Sequence, residues 1–299
     1  MNGFFFASRV KILLPLTCFF LLSPLSLFSI THSQKMLWEK EKVNYYKQIP
    51  RFEQLRGYKL KTALAKVIRK THDVKTYNDL WKVFQKSDID TYYDKDRTLI
   101  DIYSENPNHR DPFNYQLRKS QCGVYRKEGD CYNREHLFPQ SIFGKLQPMK
   151  ADFFHIYPTD GMVNNRRSRN PFGEVHEKSV RWRSKNNSKL GKSISPGYTG
   201  RVFEPLDEFK GDIARGMLYF ATRYENQIDK WNWVALNNTK GQVYQKWFLR
   251  VLIKWHRQDP PSDYEIKRNQ VGFQHQKNRN PFVDHPELVS RIWDMERVK

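Results

Sequence analysis

The sequence predicts a helix-rich α+β domain with few strands and long irregular connections. Three observations carry this. Apolar residues recur at helical spacing in several separate segments; strand-like alternation is confined to a short stretch; and two tracts of turn-forming residues interrupt the pattern.

Taken in order, residues 34–57 are charged, show little periodicity and read as a lead-in. Leu60, Leu64, Val67 and Ile68 then fall at i, i+4, i+7 and i+8, one face of a helix. Tyr77, Leu80, Trp81 and Phe84 repeat that signature in a second, shorter helix. Residues 98–103 (TLIDIY) alternate and are rich in β-branched side chains, so they read as a strand. Residues 104–132, punctuated by Pro107, Pro112, Gly123 and Gly129, read as loop, and so do residues 186–200. Phe209, Ile213, Met217, Phe220 and Tyr224 mark an amphipathic helix started near Asp207, on which Asp212 and Arg215 suggest a supporting ion pair. A further helix is expected over about 241–257, ended by Pro260-Pro261, with a short C-terminal helix from Pro286. Connections this long inside a compact domain are usually functional.

Residues 1–33 stand apart as an export signal. Arg9 and Lys11 precede an almost wholly apolar run from residue 12 to residue 30. That run is also long enough for a retained anchor, although Pro15 and Pro24 weaken a continuous helix. Cleavage would leave a protein without stable membrane association, destined for the periplasm or the medium. Cys122 and Cys131 then remain, and two Cys nine positions apart in an exported chain suggest a disulfide, against the alternative of two free thiols.

The chain has 52 Lys+Arg against 32 Asp+Glu, a formal charge of +20, and the 15% aromatic content excludes disorder. Such a charge points to polyanionic partners. Ten of the basic residues and only two acidic ones fall within residues 162–201, Arg166, Arg167 and Arg169 among them. Arg suits phosphate oxygens because its planar fork can donate two parallel hydrogen bonds. A solvated basic face is the bland alternative.

The candidate chemistry lies beside that cluster, in Asn133-Arg134-Glu135-His136 and, further on, in Tyr157-Pro158-Thr159-Asp160-Gly161-Met162-Val163-Asn164-Asn165-Arg166-Arg167-Ser168. Phosphodiester hydrolysis needs a base for water, a hard cation and positive groups near the phosphate. His136 can serve as the base. Glu135 and Asn164 offer the hard oxygens that Mg²⁺ accepts, and Mg²⁺ commonly takes only one or two protein ligands. Arg134 and Arg167 are placed to hold phosphate oxygens. On an extended strand Glu135 and His136 point to opposite faces, so a strand end or bulge must re-aim one of them. On a following helix Asn164 and Arg167 share a face, with Thr159 expected as its N-cap.

The stretches "YSENP", "CGVYRKEGDCYNREHLFPQSIF", "PMKADFFHIYPTDGMVNNRRSRNPFGEV", "FEPLDEFKGDIARGMLYFATRY" and "NRNPFVDHPELV" together resemble the bacterial endonuclease I family of exported nonspecific nucleases, within the ββα-metal (His-Me finger) superfamily. The resemblance runs from about residue 57 to 290. It implies a nuclease domain over 57–299 built around a ββα-metal finger at about 133–169. It further implies that His136 activates water, that Glu135 and Asn164 bind the metal, and that Arg134 and, less directly, Arg167 contact phosphates. The connection after the His motif is short here, so no Arg that steadies a leaving group transfers; Lys145 is a weak stand-in. His155 reads as a core histidine, and residues 278–286 as a structural segment bonded into the finger.

The expected protein is therefore an exported, Mg²⁺-dependent, largely sequence-nonspecific endonuclease and a monomer, acting on DNA with RNA a further candidate. A noncatalytic exported nucleic-acid-binding protein is the alternative; it would bind with strong salt dependence and cut nothing.

Overall fold

The computed structural model describes Met1 and residues 31–293, so most of the expected leader lies outside the described residues. Helix α1 (His32–Tyr46) opens on a capping box formed by Thr31 and Gln34. This replaces the aperiodic lead-in expected there. Only its last turn is buried, through Tyr45 and Tyr46, so no apolar stripe marks it in the sequence. Helices α2 (Gly57–Thr71) and α3 (Asp79–Ser87) bury the predicted faces, Leu60, Leu64, Val67 and Ile68 in the first, Leu80 and Phe84 in the second.

Residues 98–103 do not form a strand. Leu99 makes one isolated bridge with Ile89, and Asp101 then caps a turn by accepting from the Tyr103 backbone N–H. The apolar residues of this stretch are buried without joining a ladder, so their alternation reflects burial and not pairing.

Strand β1 (Tyr132–His136) pairs antiparallel with β2 (Ile156–Asp160), and α4 (Gly161–Arg167) follows β2 without a break. Asp160, not Thr159, is the N-cap of α4, accepting from the Val163 N–H at 2.9 Å. A second, three-stranded antiparallel sheet joins β3 (Trp182–Arg183), β4 (Lys189–Lys192) and β5 (Arg201–Glu204). Strand β4 lies inside the tract expected to be loop; its Gly and Ser residues hid a short hydrogen-bonded ladder.

Helix α5 (Lys210–Arg223) is the hub, with every residue buried. It packs against α2, α6 (Lys246–Gln258) and the connection between β1 and β2. A Cβ on Gly216 would meet Leu137 Cδ1 at 2.6 Å, so glycine is what lets α5 lie directly against the chain leaving His136. From the other side, α7 (Asp263–Gln276) brings Gly272 against Phe153 and Phe154. No apolar stripe marks α7 in the sequence, because its buried residues include Glu265, Arg268, Asn269, Gln270 and Gln276. A short helix, α8 (Pro281–Asp284), precedes α9 (Leu288–Ile292), which stands where the C-terminal helix is expected from Pro286.

The result is α+β, with many helices around two small antiparallel sheets. Among the described residues, no helix is long and apolar enough to cross a membrane.

Candidate active site

Alternation along β1 sorts its side chains onto two faces. Asn133 and Glu135 face α4, where Asn133 Oδ1 accepts from Asn164 Nδ2 at 2.7 Å and Glu135 Oε1 accepts from Arg167 Nη1 at 2.8 Å. Arg134 and His136 face Tyr77: the Arg134 guanidinium carbon lies 3.3 Å from the Tyr77 ring centre, and the His136 ring lies 5.8 Å from it. Glu135 and His136 nevertheless line one pocket, because His136 is the last residue of the strand. That pocket, of about 480 Å³, also contains Asn133, Arg134, Asn164 and Lys145.

Glu135 is almost fully buried. Its Oε1 also receives the Tyr103 hydroxyl at 3.1 Å. Burial raises its carboxyl to about 7, opposed by the Arg167 charge and by the hydrogen bonds of Tyr103 and Arg167. Both of these bonds go to Oε1, leaving Oε2 for the pocket. The Asn164 amide donates through Nδ2 to Asn133, which leaves its Oδ1 as the acceptor. The donor set, one carboxylate and one amide oxygen in the same pocket, fits a hard divalent cation.

His136 Nε2 lies 3.1 Å from the Lys150 carbonyl oxygen. A carbonyl only accepts, so Nε2 carries the proton and Nδ1 the lone pair. Burial first, then the neighbouring His155, hold the ring well below the usual imidazole range, while the Lys150 and Arg134 backbones act the other way. A neutral ring is what a general base requires. The Lys150 carbonyl is itself fixed by the connection around Asp152, which accepts from the hydroxyls of Tyr219 (2.9 Å) and Tyr224 (2.7 Å) and from Gln276 Nε2 (2.8 Å).

The arginines divide. Arg134 donates to the Tyr77 carbonyl at 2.7 Å, stacks on Tyr77 and Trp81, and still borders the pocket. Arg166 and Arg169 are exposed, and Arg169 lines the pocket. Arg167 departs from expectation. It is 1% exposed, and beyond Glu135 it donates to the carbonyl oxygens of His136 (3.0 Å) and Leu137 (2.5 Å). Arg167 borders the pocket, but these bonds commit its Nη1 and Nη2 to Glu135 and the end of β1 in place of a phosphate. Cys122 and Cys131 form the expected disulfide immediately before β1.

His155 is a core histidine, buried against Phe220 with Nε2 bonded to the Met149 carbonyl at 2.7 Å. Asn278 donates to the Tyr219 hydroxyl and Asn280 caps α8, so the segment 278–286 is structural. Arg215 pairs with Asp212 at 3.8 Å and more closely with Glu265, at 2.5 Å.

Four contributors have no role assigned to them from the sequence: Tyr77, Tyr103, Asn133 and the Lys150 carbonyl. Asn133 alone carried a signal, being adjacent to the motif and two residues from Glu135 on an alternating strand. Apart from the pocket, Asp90, Asp94 and Asp96 place one carboxylate oxygen each within 4.8 Å of one another, a group that could hold a metal ion.

Comparison with known proteins agrees with this chemistry. The family model described as Endonuclease I matches residues 56–287. The chain is 31% identical over 273 residues to a protein of Bacillus amyloliquefaciens named extracellular ribonuclease, covering 90% of this chain and 84% of the relative. A Bacillus subtilis (strain 168) protein of the same name is 31% identical over 242 residues, covering 79% and 75%. A Buchnera aphidicola protein named Endonuclease-1 is 23% identical over 240 residues, covering 72% and 85%. The chain belongs to the endonuclease I family and is a nuclease, an enzyme that hydrolyses nucleic acids.

Proposed function

We propose that this protein is an exported, Mg²⁺-dependent endonuclease of low sequence preference that cleaves DNA and accepts RNA, with β1, β2 and α4 forming a ββα-metal finger. The observation that carries the reading is the pairing of a tautomer-fixed His136 with Glu135 and Asn164 in one pocket. A nucleic-acid-binding protein without activity needs no such set.

In this reading His136 Nδ1 takes the proton of the attacking water, with Nε2–H held by the Lys150 carbonyl so that Nδ1 keeps the lone pair. Glu135 and Asn164 would hold the cation, which supplies charge stabilisation to the phosphate and the departing oxygen when bound. Tyr103 and Arg167 keep Glu135 oriented, and Asn133 does so for Asn164. Arg134, Arg169 and Lys145 border the pocket with positive charge for the phosphate backbone. These are contacts to the backbone and carry no direct sequence information. Export is supported by the charged, then apolar, N-terminus and by the word extracellular in the names of two relatives.

RNA is retained beside DNA because those two relatives are named ribonucleases. Supercoiled plasmid and a single-stranded RNA, each incubated with the purified mature chain with and without EDTA, test the proposal. Nicking that EDTA stops is expected. Binding without cleavage, or cleavage that EDTA leaves unchanged, would overturn it.

A further inference from the structure

The chain leaves α4 through a corner that any side chain makes costly. Ser168 follows the helix at φ 53° and ψ −128°, the first corner of a type II′ turn. The Asn170 N–H closes that turn by donating to the Arg167 carbonyl at 3.1 Å. Glycine is favoured at such a corner, because a Cβ there strains the backbone. The surroundings nevertheless fix it from both sides. The Ser168 N–H donates to the Asn164 carbonyl at 2.9 Å, Asn170 Nδ2 donates to the Arg167 carbonyl at 2.9 Å, and Trp233 Nε1 donates to the Arg169 carbonyl at 3.0 Å. A strained residue held this firmly at the rim of a reactive pocket points to a use for its side chain.

Ser168 lines the pocket together with Asn164, one helical turn earlier, and Arg169, next in the chain. Among the described residues, the Ser168 hydroxyl has no hydrogen-bond partner, and the N–H of Arg169, the central peptide of the turn, has no acceptor. One short turn thus carries an unbonded hydroxyl, an unbonded backbone N–H and an exposed guanidinium. These are three kinds of donor that hold phosphate oxygens.

We propose that the turn at 167–170 is the phosphate grip of the pocket, with the Ser168 hydroxyl and the Arg169 N–H donating to the nonbridging oxygens of one phosphate of the bound strand. The inference rests on reading the pocket as the site of cleavage. Serine keeps its strain here because glycine, which would relax the corner, has no hydroxyl to give. A grip on phosphate alone takes any base, in keeping with low sequence preference.

The test compares the mature wild-type chain with Ser168→Gly, Ser168→Ala and His136→Ala, by plasmid nicking in Mg²⁺ and by calorimetry. Both Ser168 variants should lose about 10- to 100-fold in kcat/KM, the loss expected for a hydrogen bond to a charged group. Ser168→Gly should nonetheless melt roughly 2–6 °C above Ser168→Ala, since only glycine relaxes the corner. Damage to the fold cannot raise Tm and lower activity together. Added to His136→Ala, Ser168→Gly should weaken binding of a labelled DNA duplex about tenfold. The slope of log affinity against log salt should stay the same, because no charge is lost, whereas Arg169→Gln should reduce it by about 0.9. A reduced slope in Ser168→Gly would show that the variant acts by displacing Arg169, and would overturn the role of the hydroxyl. A Tm for Ser168→Gly no higher than that of Ser168→Ala would overturn the argument from strain. Wild-type cleavage by both Ser168 variants, with His136→Ala inactive, would overturn this inference alone; full cleavage by His136→Ala would take the reading of the pocket down with it.

Discussion

Arg167→Met separates two roles for the same side chain. If Arg167 holds substrate phosphate, the variant should fold normally and bind nucleic acid poorly. The geometry argues otherwise, since its Nη1 and Nη2 atoms reach Glu135 Oε1 and the carbonyls of His136 and Leu137, with the side chain 1% exposed. Methionine fills the volume but leaves a buried carboxylate without its cation. Breaking a buried pair in this way costs about 3–5 kcal/mol. The two orphaned carbonyls would add to that, at about 1–3 kcal/mol each if no water reaches them. With about 2–4 °C of Tm per kcal/mol for a chain of this size, the fall should be roughly 10 °C or more. Glu135, already raised to about 7 by burial despite Arg167, should rise further. At neutral pH it would then be mostly protonated, so the Mg²⁺ needed for half-maximal cleavage should increase steeply and fall back as pH is raised. Calorimetry with a Mg²⁺ titration of plasmid nicking reads both effects. A Tm within about 2 °C of wild type, with only KM for DNA raised, would refute the scaffold role and restore the phosphate one.

Other perturbations follow from the same contacts. His136→Ala should lower the cleavage rate at least about 10²–10⁴-fold while gel-shift affinity for DNA in EDTA is kept; full activity would remove His136 as the base. Asn133→Ala frees the Asn164 amide and should weaken Mg²⁺ roughly tenfold or more, as loss of a partner behind a metal ligand commonly does, with kcat at saturating Mg²⁺ little changed; an unchanged Mg²⁺ titration would show that the amide needs no pinning. Burial first, and Asp160 second, raise the Asp101 carboxyl from 3.8 to about 8. A raised carboxyl contributes stability that is full below the unfolded value near 4 and is lost as pH climbs toward about 8. Asp101→Asn should therefore flatten the decline of Tm across that window, and an identical profile in the variant would count against it.

How much of this was legible in the sequence depended on whether burial was apolar. The faces of α2, α3 and α5 were read correctly because Leu60, Phe84 and Met217 mark them at helical spacing. Helix α7 was not, because Arg268 pairs with Asp88 and Gln276 with Asp152 inside the core, and polar residues there look like surface. The strand expected at residues 98–103 failed for the converse reason: Ile100 and Ile102 are buried in an irregular strap. In the pocket, local chemistry identified Glu135, His136 and Asn164. Tyr103 opens the family-like stretch YSENP, but nothing local points it or the Lys150 carbonyl at the site, since both reach their partners only through folding.

The buried arginines also change what the charge means. Arg167, Arg215, Arg268 and Arg279 each sit against a carboxylate, on Glu135, Glu265, Asp88 and Asp284 respectively. Such pairs contribute nothing to the net charge, so the excess that makes the chain +20 must sit outside them. Within residues 162–201 the exposed cations include Arg166, Arg169, Lys178, Arg181, Lys192 and Arg201, while Arg183 and Lys189 are partly engaged by Glu177. Only Arg169 of that segment's exposed cations lines the pocket among the described residues. The surface charge can then steer and hold a phosphate backbone over a wide area, while in the proposed reaction Glu135, His136 and Asn164 act at one point on it. Weakening the former by salt should slow capture at low substrate and leave the rate at saturation nearly unchanged; a salt effect confined to the saturated rate would place the charge in the chemical step.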